Sequence, residues 1–217
     1  MTSQPAKAVK PTTFVLVRHG LTATTGKLLP GRAAGLHLSD KGQAQAEATA
    51  RRIAQLDKVA AVYASPLERA QETATPIAAA RKLKLRTEEG LYECDFGDWT
   101  GKRLAALSKK KEWAIVQGRP SSFRFPNGES IREMQGRLTE TLDRLAALHR
   151  GKTVVCVSHA DPIKAVIVEA MGAHLDSYQR VVVSPCSVSV VVWHPMRPTV
   201  MTVNATDHLG AALPAAS

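Results

Sequence analysis

The sequence predicts an α/β fold in which helices cover both faces of a mostly parallel central sheet. Short apolar runs typical of buried strands alternate along the chain with stretches that carry helix signals, and this order is typical of α/β proteins. The 217 residues, 44% of them hydrophobic, suffice for the core of one domain. We therefore expect a single domain over residues 12–206, between flexible tails at residues 1–11 and 207–217.

The first two strands and the helix between them follow from hydrophobic patterning. The run FVLV at residues 14–17 predicts a buried strand, and VAAVYAS at residues 59–65 predicts a second. A helix-like stretch extends between them from about Asp40 to Leu56. This β, α, β order begins the alternation that indicates the fold class.

Two further helices begin at capping signals. Ser65 can cap a helix that starts at Pro66, a residue suited to the first helical position, and Glu68 would complete a capping box. Ser130 and Glu133 repeat the same S-x-x-E pattern. We therefore expect helices to begin near residues 66 and 131.

The helix after residue 130 has one apolar face. Its apolar side chains recur at intervals of three and four, a stripe typical of core packing: Ile131, Met134, Leu138, Leu142 and Leu145. TVVCVS at residues 153–158 then predicts a third buried strand. After that strand, Asp161 can cap another helix, for which Pro162 is a suitable first residue.

The remaining sections are a β-rich end and one segment without periodicity. Residues 186–193 and 199–206 resemble two strands of a terminal hairpin. Residues 95–128 show no clean pattern, and we expect them to form an insertion over the sheet edge, a candidate lid.

The net positive charge of the chain favours anionic partners. The net charge is +10, which raises the attraction for phosphate esters, nucleic acid or acidic membrane. Aromatic residues make up only 5% of the chain, so the interleaved aromatic and basic pattern of single-strand binders is missing. With no nucleic-acid-binding motif either, we expect small-molecule phosphate esters as partners and no nucleic acid.

The cysteine count and the hydropathy predict a cytoplasmic protein. The three cysteines are widely spaced and form no CxxC pair, which argues against a disulfide framework or a zinc-cysteine site. The N-terminus lacks the apolar region of a secretory signal, and no apolar stretch reaches membrane-spanning length. We expect no membrane partner, and a homodimer stays open.

Polar side chains follow three of the predicted strands. Arg18 and His19 follow the first, Arg69 lies on the helix that follows the second, and Ser158 and His159 end the third. Ligands of open α/β sheets bind outside the carboxyl ends of the strands. Two arginines, two histidines and nearby helix N-termini would form a pocket for a dianion there, with phosphate the natural candidate.

These residue types fit phosphoryl transfer through a covalent intermediate. A neutral imidazole can attack phosphorus, and arginines neutralise the charge on the phosphoryl oxygens. The leaving oxygen needs a proton, which a nearby carboxylic acid can supply. Glu93 is the first candidate because it lies in a glycine-rich loop that can approach a ligand, while Asp95, Asp98 and Glu129 are alternatives.

Four motifs in order resemble the histidine phosphatase superfamily, also called the phosphoglycerate mutase-like family. They are RHG at residues 18–20, SPLERAQETA at residues 65–74, ECDFGDWTG at residues 93–101 and SHADPI at residues 158–163. The resemblance covers about residues 13 to 205. It implies a three-layer α/β/α sandwich of the phosphoglycerate mutase-like type.

The resemblance also implies roles for particular residues. His19 would be the phosphorylated nucleophile, Arg18 and Arg69 would hold the phosphate, and His159 would hydrogen-bond the transferring group. Glu93 would donate the proton and later act as the base for water. No metal and no cofactor would be needed. PNGES at residues 126–130 resembles a family segment near the leaving group, which implies that Glu129 touches the substrate.

The chain departs from the family pattern at two places. Leu21 stands where the family often has an acidic residue, and Thr25 stands where an asparagine is expected at the phosphate. Thr22 or Thr25 can supply a hydroxyl instead. Lys164 stands where an arginine follows the second histidine. These changes bear on substrate preference.

The sequence therefore predicts a metal-independent phosphatase that hydrolyses phosphate monoesters of small metabolites through a phosphohistidine intermediate. Candidate substrates include α-ribazole phosphate and glycolytic or sugar phosphates. A phosphomutase is the first rival, although the insertion seen in the sequence is short for a lid that excludes water. A non-catalytic phosphate-sensing module is the second, although a binder needs neither nucleophile nor proton donor.

Overall fold

In the computed structural model, which describes residues 10–210, six strands form one sheet: β1 (Thr12–Arg18), β2 (Val59–Ala64), β3 (Leu85–Thr87), β4 (Thr153–Ser158), β5 (Val188–Trp193) and β6 (Thr199–Ala205). Their spatial order is β3-β2-β4-β1-β5-β6. The first four strands pair in parallel, and β5 and β6 are added antiparallel. The mostly parallel central sheet that the sequence predicts is confirmed.

In the described part of the chain, six α-helices accompany the sheet: α1 (Asp40–Ala54), α2 (Glu68–Ala80), α3 (Leu104–Leu107), α4 (Lys111–Gly118), α5 (Ile131–Leu148) and α6 (Ala160–Ala170). One core cluster packs α1 and α2 on one face of the sheet, through residues such as Ile53 and Ile77. A second cluster packs α5 and α6 on the other face, through residues such as Leu142 and Ile167. The three layers are those expected.

Strand β1 lies at the centre of the molecule. It pairs in parallel with β4 and antiparallel with β5, and helices cover both of its faces. Phe14 and Leu16 belong to the core on one side, and Val15 and Val17 to the core on the other. A strand buried on both faces is apolar at successive positions, which explains the unbroken run FVLV.

Two of the four predicted helix starts, those of α1 at Asp40 and of α5 after Ser130, agree with the structure. Ser130 and Glu133 form the expected capping box at α5. The cap expected from Ser65 is wrong: α2 begins at Glu68 with Leu67 in the N-cap position, and the Ser65 hydroxyl, besides a long 3.4 Å bond from the Leu67 amide, lies 2.8 Å from a histidine of another element.

The start of α6 also differs from the prediction. Asp161 does not cap α6, which begins at Ala160 with His159 in the N-cap position. Asp161 therefore lies in the first turn, where its charge is favourable toward the helix dipole.

Residues 95–128 form a folded segment on the α5 and α6 side of the sheet. The segment holds α3 and α4, and it adds apolar side chains to the core there: Phe96, Trp99, Leu107, Val116, Phe123 and Phe125. The rings of Trp99 and Phe125 meet edge to face, with centroids 5.4 Å apart. These helices, of 4 and 8 residues, are too short to show a periodic pattern, so neither is predicted from the sequence. Movement as a lid stays a prediction.

Smaller differences concern the end of the chain and β3. The hairpin β5–β6 forms as expected, whereas β3, only three residues long, was not predicted. Residues 207–209, assigned to a tail from composition, form a short 3₁₀ turn beside α1. Asp207 pairs with Arg52, and His208 Nε2 lies 3.1 Å from Thr49 Oγ1. The predicted tail at residues 1–11 and the rest of the C-terminal one lie largely outside the described residues.

Within residues 10–210, no helix has the length and apolar character needed to cross a membrane.

Candidate active site

Parallel pairing of β1 with β4 brings two histidines together. Arg18 lies opposite Ser158 in the register, so the next residues, His19 and His159, leave the sheet side by side. The His19 amide donates to the Ser158 carbonyl at 2.9 Å, and the two imidazole centroids are 5.2 Å apart. The two histidines therefore meet at the carboxyl edge of the parallel strands, as the sequence predicts.

The ring of His19 is held in one tautomer. Its Nδ1 lies 2.7 Å from the Gly20 carbonyl oxygen, and because a carbonyl only accepts, Nδ1 must carry the proton. The lone pair of Nε2 is therefore free. Burial lowers the pKa of His19 well below its ordinary value, and the charges of Arg18 and Arg69 lower it further. His19 is thus a neutral imidazole with an available nucleophilic nitrogen.

Gly20 is needed because the chain approaches another backbone closely at this point. A Cβ at this position would lie 2.7 Å from the Gly42 carbonyl oxygen. The amide of Gly20 also donates to Thr73 Oγ1 at 3.0 Å. Close packing therefore requires glycine as the third residue of the RHG motif. The turn at Gly20 also fixes the direction of the His19 ring.

Two arginines whose charges act on both histidines carry unpaired N–H groups. Arg69 is fully buried, and its Nη2 donates to the Gly31 carbonyl at 2.8 Å. Arg18 Nη1 donates to the Val183 carbonyl at 2.7 Å. Among the described residues, Arg69 Nε and Nη1 and Arg18 Nε have no partner although they are buried. Burial lowers the pKa of both guanidinium groups, yet arginine stays charged.

His159 adds a further unpaired atom to this group. The residue is fully buried, and its Nδ1 has no partner within the described chain. Burial, with Arg69 and His19 as the next causes, lowers its pKa well below the ordinary value. His159 is therefore neutral. Buried polar atoms seldom lack a partner, so four such nitrogens on three neighbouring residues indicate a binding site for an acceptor.

Glu93 is buried, and its pKa is raised to about 7, so that a large fraction of its carboxyl is protonated at neutral pH. Burial is the largest cause and the charge of Asp161 the next, against opposing effects of the Cys94 amide, Arg69 and Arg18. Its Oε1 accepts the Cys94 N–H at 2.9 Å. An acid with this pKa can donate a proton at pH 7 and take one back.

Glu129, expected at the substrate, is occupied by two arginines. Arg137 binds it through two hydrogen bonds of 3.0 Å, and Arg32 Nη2 donates to Oε2 at 3.1 Å. The Asp95 amide donates to the same oxygen at 3.2 Å. The carboxylate thus anchors the loop that carries Glu93, and a contact of Glu129 with the substrate stays a prediction.

Arg137 secures the backbone on the other side of the same loop. Its Nη1 donates to the carbonyls of Gly90 and Tyr92, at 2.8 and 3.1 Å. Neither Arg137 nor Arg32 is singled out by the sequence, because arginine on a helix or in a loop usually faces solvent. The sequence separations of Arg32 and Arg137 from Glu129 match no local motif that would predict an ion pair.

The two threonines expected to offer hydroxyls bond each other. Thr25 Oγ1 accepts the Thr22 amide and lies 3.0 Å from Thr22 Oγ1. Thr22 is buried and Thr25 is partly exposed. They stabilise the turn after His19, and their contact with phosphate stays a prediction. Lys164 lies over the Tyr178 ring, 3.4 Å from Asp161.

We expect Arg137→Ala to destabilise the protein by about 2 to 4 kcal/mol, because it removes both arginine hydrogen bonds from α5 to the Glu129 carboxylate and leaves the carbonyls of Gly90 and Tyr92 without this donor. Arg144→Ala is the matched control on the same helix. Arg144 is 57% exposed and pairs with Glu88, so its loss should change stability by less than about 1 kcal/mol. Urea unfolding of both variants measures the difference, and equal losses would show that the Glu129 contacts carry no special weight.

Within residues 10–210 no three histidine, cysteine or acidic side chains gather as a metal site requires. The donors at the sheet edge are cationic or neutral N–H groups, which suit an anion. Buried donors at the carboxyl edge of an α/β sheet, where ligands of this class of fold bind, suit an anionic ligand.

Within that class, the chain belongs to the histidine phosphatase superfamily, branch 1, whose family model matches residues 14–206. The resemblance noted from the four motifs is confirmed.

Relatives and solved structures agree with this assignment. The chain is 29% identical to "Phosphoserine phosphatase 1" of Hydrogenobacter thermophilus, over 91% of this chain and 94% of that protein. It is 30% identical to "Bifunctional protein Rv2228c" of Mycobacterium tuberculosis, of which it spans only 55%. A crystal structure of phosphoserine phosphatase from Entamoeba histolytica, in complex with 3-phosphoglyceric acid, superposes with a TM-score of 0.80. It is 27% identical, over 91% of this chain and 99% of that one.

Proposed function

We propose that this protein is a metal-independent phosphatase that hydrolyses phosphate monoesters of small metabolites through a phosphohistidine on His19. The observation that supports it most is the free Nε2 of a neutral, buried His19 beside the unpaired N–H groups of Arg18 and Arg69. The relatives named phosphoserine phosphatase support a small phosphate ester as substrate.

In the first step, His19 Nε2 attacks phosphorus while the bond from phosphorus to the ester oxygen breaks. The leaving oxygen takes the proton of the Glu93 carboxyl. The positive charge that develops on the imidazole is stabilised by the Nδ1–H bond to the Gly20 carbonyl. Arg18, Arg69 and His159 donate to the oxygens of the phosphoryl group and balance their charge.

In the second step, water attacks the phosphohistidine. The Glu93 carboxylate takes the proton of that water, and the bond from Nε2 to phosphorus breaks. Inorganic phosphate leaves, while His19 is again neutral and Glu93 is again protonated. A phosphomutase would use the same first step and pass the group to a second hydroxyl.

The test is a panel of phosphate monoesters with EDTA present, including phosphoserine, 3-phosphoglycerate and a sugar phosphate. We expect free phosphate from at least one ester, at an unchanged rate with EDTA, and no isomerised ester by ³¹P NMR. Isomer as the main product would establish the mutase. Phosphate binding with no turnover of any ester would establish a sensing module, and loss of activity with EDTA would contradict the metal-free mechanism.

A further inference from the structure

The hydroxyl of Ser65 contacts the second histidine. Ser65 follows β2, is fully buried, and its Oγ lies 2.8 Å from His159 Nε2. Parallel pairing of β2 with β4 brings the two residues together across the sheet edge. Sequence patterning assigns Ser65 to a helix cap, and the structure gives it a different contact.

The hydrogen bonds around Ser65 decide which atom donates. The Leu67 amide donates to Ser65 Oγ, at 3.4 Å. If His159 Nε2–H also donated to Oγ, the hydroxyl proton would have no acceptor among its described contacts. If the hydroxyl donates to Nε2, every group is satisfied. Since His159 is neutral, Nε2 as acceptor leaves the ring proton on Nδ1.

Resting on the proposed function, we propose that Ser65 is a positioning residue that holds His159 in the Nδ1–H tautomer, so that Nδ1 donates to the transferring phosphoryl group. Nδ1 is buried without a partner, as are the Nε atoms of Arg18 and Arg69. All of these unpaired atoms are then donors, which is the set that a phosphoryl group with only acceptor oxygens requires.

The opposite tautomer would place a lone pair in the same position. An Nδ1 lone pair repels phosphoryl oxygens and removes one hydrogen bond from the transition state. Imidazole exchanges between its two tautomers in water, so the buried ring needs a fixed partner to select one. Ser65 acts on the phosphoryl group only through His159, and it touches neither the nucleophile nor the leaving group.

The direct test is ¹H–¹⁵N correlation of the histidine rings, which distinguishes Nδ1–H from Nε2–H and needs no turnover. His159→Gln identifies the signal that belongs to His159. We expect the Nδ1–H tautomer in the wild type and in Ser65→Thr, which keeps the hydroxyl, and a gain of the Nε2–H form in Ser65→Ala. Ser189→Ala is the control, because Ser189 is also fully buried but bonds the Asn204 amide on β6.

Kinetics give the second readout. In Ser65→Ala, kcat should fall about 10- to 100-fold, less than the about 10²- to 10³-fold loss from removing one donor to a transition-state oxyanion, because the His159 ring itself remains. Ser65→Thr should recover most of this loss, and Ser189→Ala should keep the wild-type kcat. A wild-type Nε2–H tautomer, or an unchanged tautomer in Ser65→Ala, would overturn the proposal. If the wild type hydrolyses no ester, the proposed function fails by itself. The tautomer and its response to inorganic phosphate still decide the role of Ser65.

Discussion

Replacing His19 with alanine should reduce phosphate release by at least about 10³-fold, because it removes the imidazole that we propose as the acceptor of the phosphoryl group. Its Nε2 is the free nitrogen beside the unpaired donors, whereas Nε2 of His159 is engaged by Ser65. The measurement is initial phosphate release from the best ester of the panel. Thermal unfolding checks that the variant is folded.

His174→Ala is the matched control for this result. The His174 side chain is 67% exposed and pairs with Asp176 on the surface, so its removal should leave the rate within about twofold, as surface substitutions usually do. If His19→Ala kept a tenth or more of the wild-type rate while folded, the nucleophile would have to be assigned elsewhere.

Glu93→Gln should have the second largest effect, and the effect should depend on the leaving group. With an alkyl phosphate such as phosphoserine, formation of the phosphoenzyme should slow about 10²- to 10³-fold, because the leaving alkoxide has no proton donor. With 4-nitrophenyl phosphate, whose leaving oxyanion is stable, that step should slow much less. Hydrolysis of the phosphoenzyme should still be slow, so rapid mixing should show a burst of nitrophenol equal to the enzyme concentration.

The pH profile tests the same carboxyl. The pKa of Glu93 is raised to about 7, so the carboxyl is protonated below this pH and loses its proton above it. Turnover of alkyl esters should therefore fall as pH rises through about 7, and a bound phosphate dianion should move this limb upward. Glu93→Gln should lose the limb. Asp98→Asn, which changes an exposed carboxylate of the same loop, should keep both the turnover rate and the fall of turnover above pH 7. If Glu93→Gln still showed that fall, the titrating group would be a different one.

The fold could be predicted well for each helix or strand whose own residues show a hydrophobic or capping pattern. The strand around Val15 is apolar throughout because it is covered on both faces, and the helix after Ser130 has both a capping box and an apolar stripe. The helices in residues 95–128 could not be predicted. They are short, and α4 packs through Trp113, whose ring stacks on Trp99 of the preceding loop, a contact that no periodicity within the helix indicates.

The positions of the two histidines could also be predicted, because they depend only on the parallel direction of the strands that precede them. Residues that follow parallel strands meet at one edge, so His19 and His159 had to be neighbours once both strands were recognised. The contacts of Ser65 and Glu129 could not. Ser65 satisfies the pattern of a helix cap equally well, and the partners of Glu129 lie 97 and 8 residues away in the sequence, on a loop and on α5.

The central claim is that the phosphoryl group is carried by His19, and trapping it there is the most direct measurement. The protein is mixed with a reactive ester in EDTA, quenched in alkali within the first turnovers, digested, and analysed by mass spectrometry. The account predicts a phosphate on the peptide that contains His19, stable in alkali and lost in acid, and absent from His19→Ala. Turnover with no phosphopeptide, or a phosphate on a different residue, would contradict it.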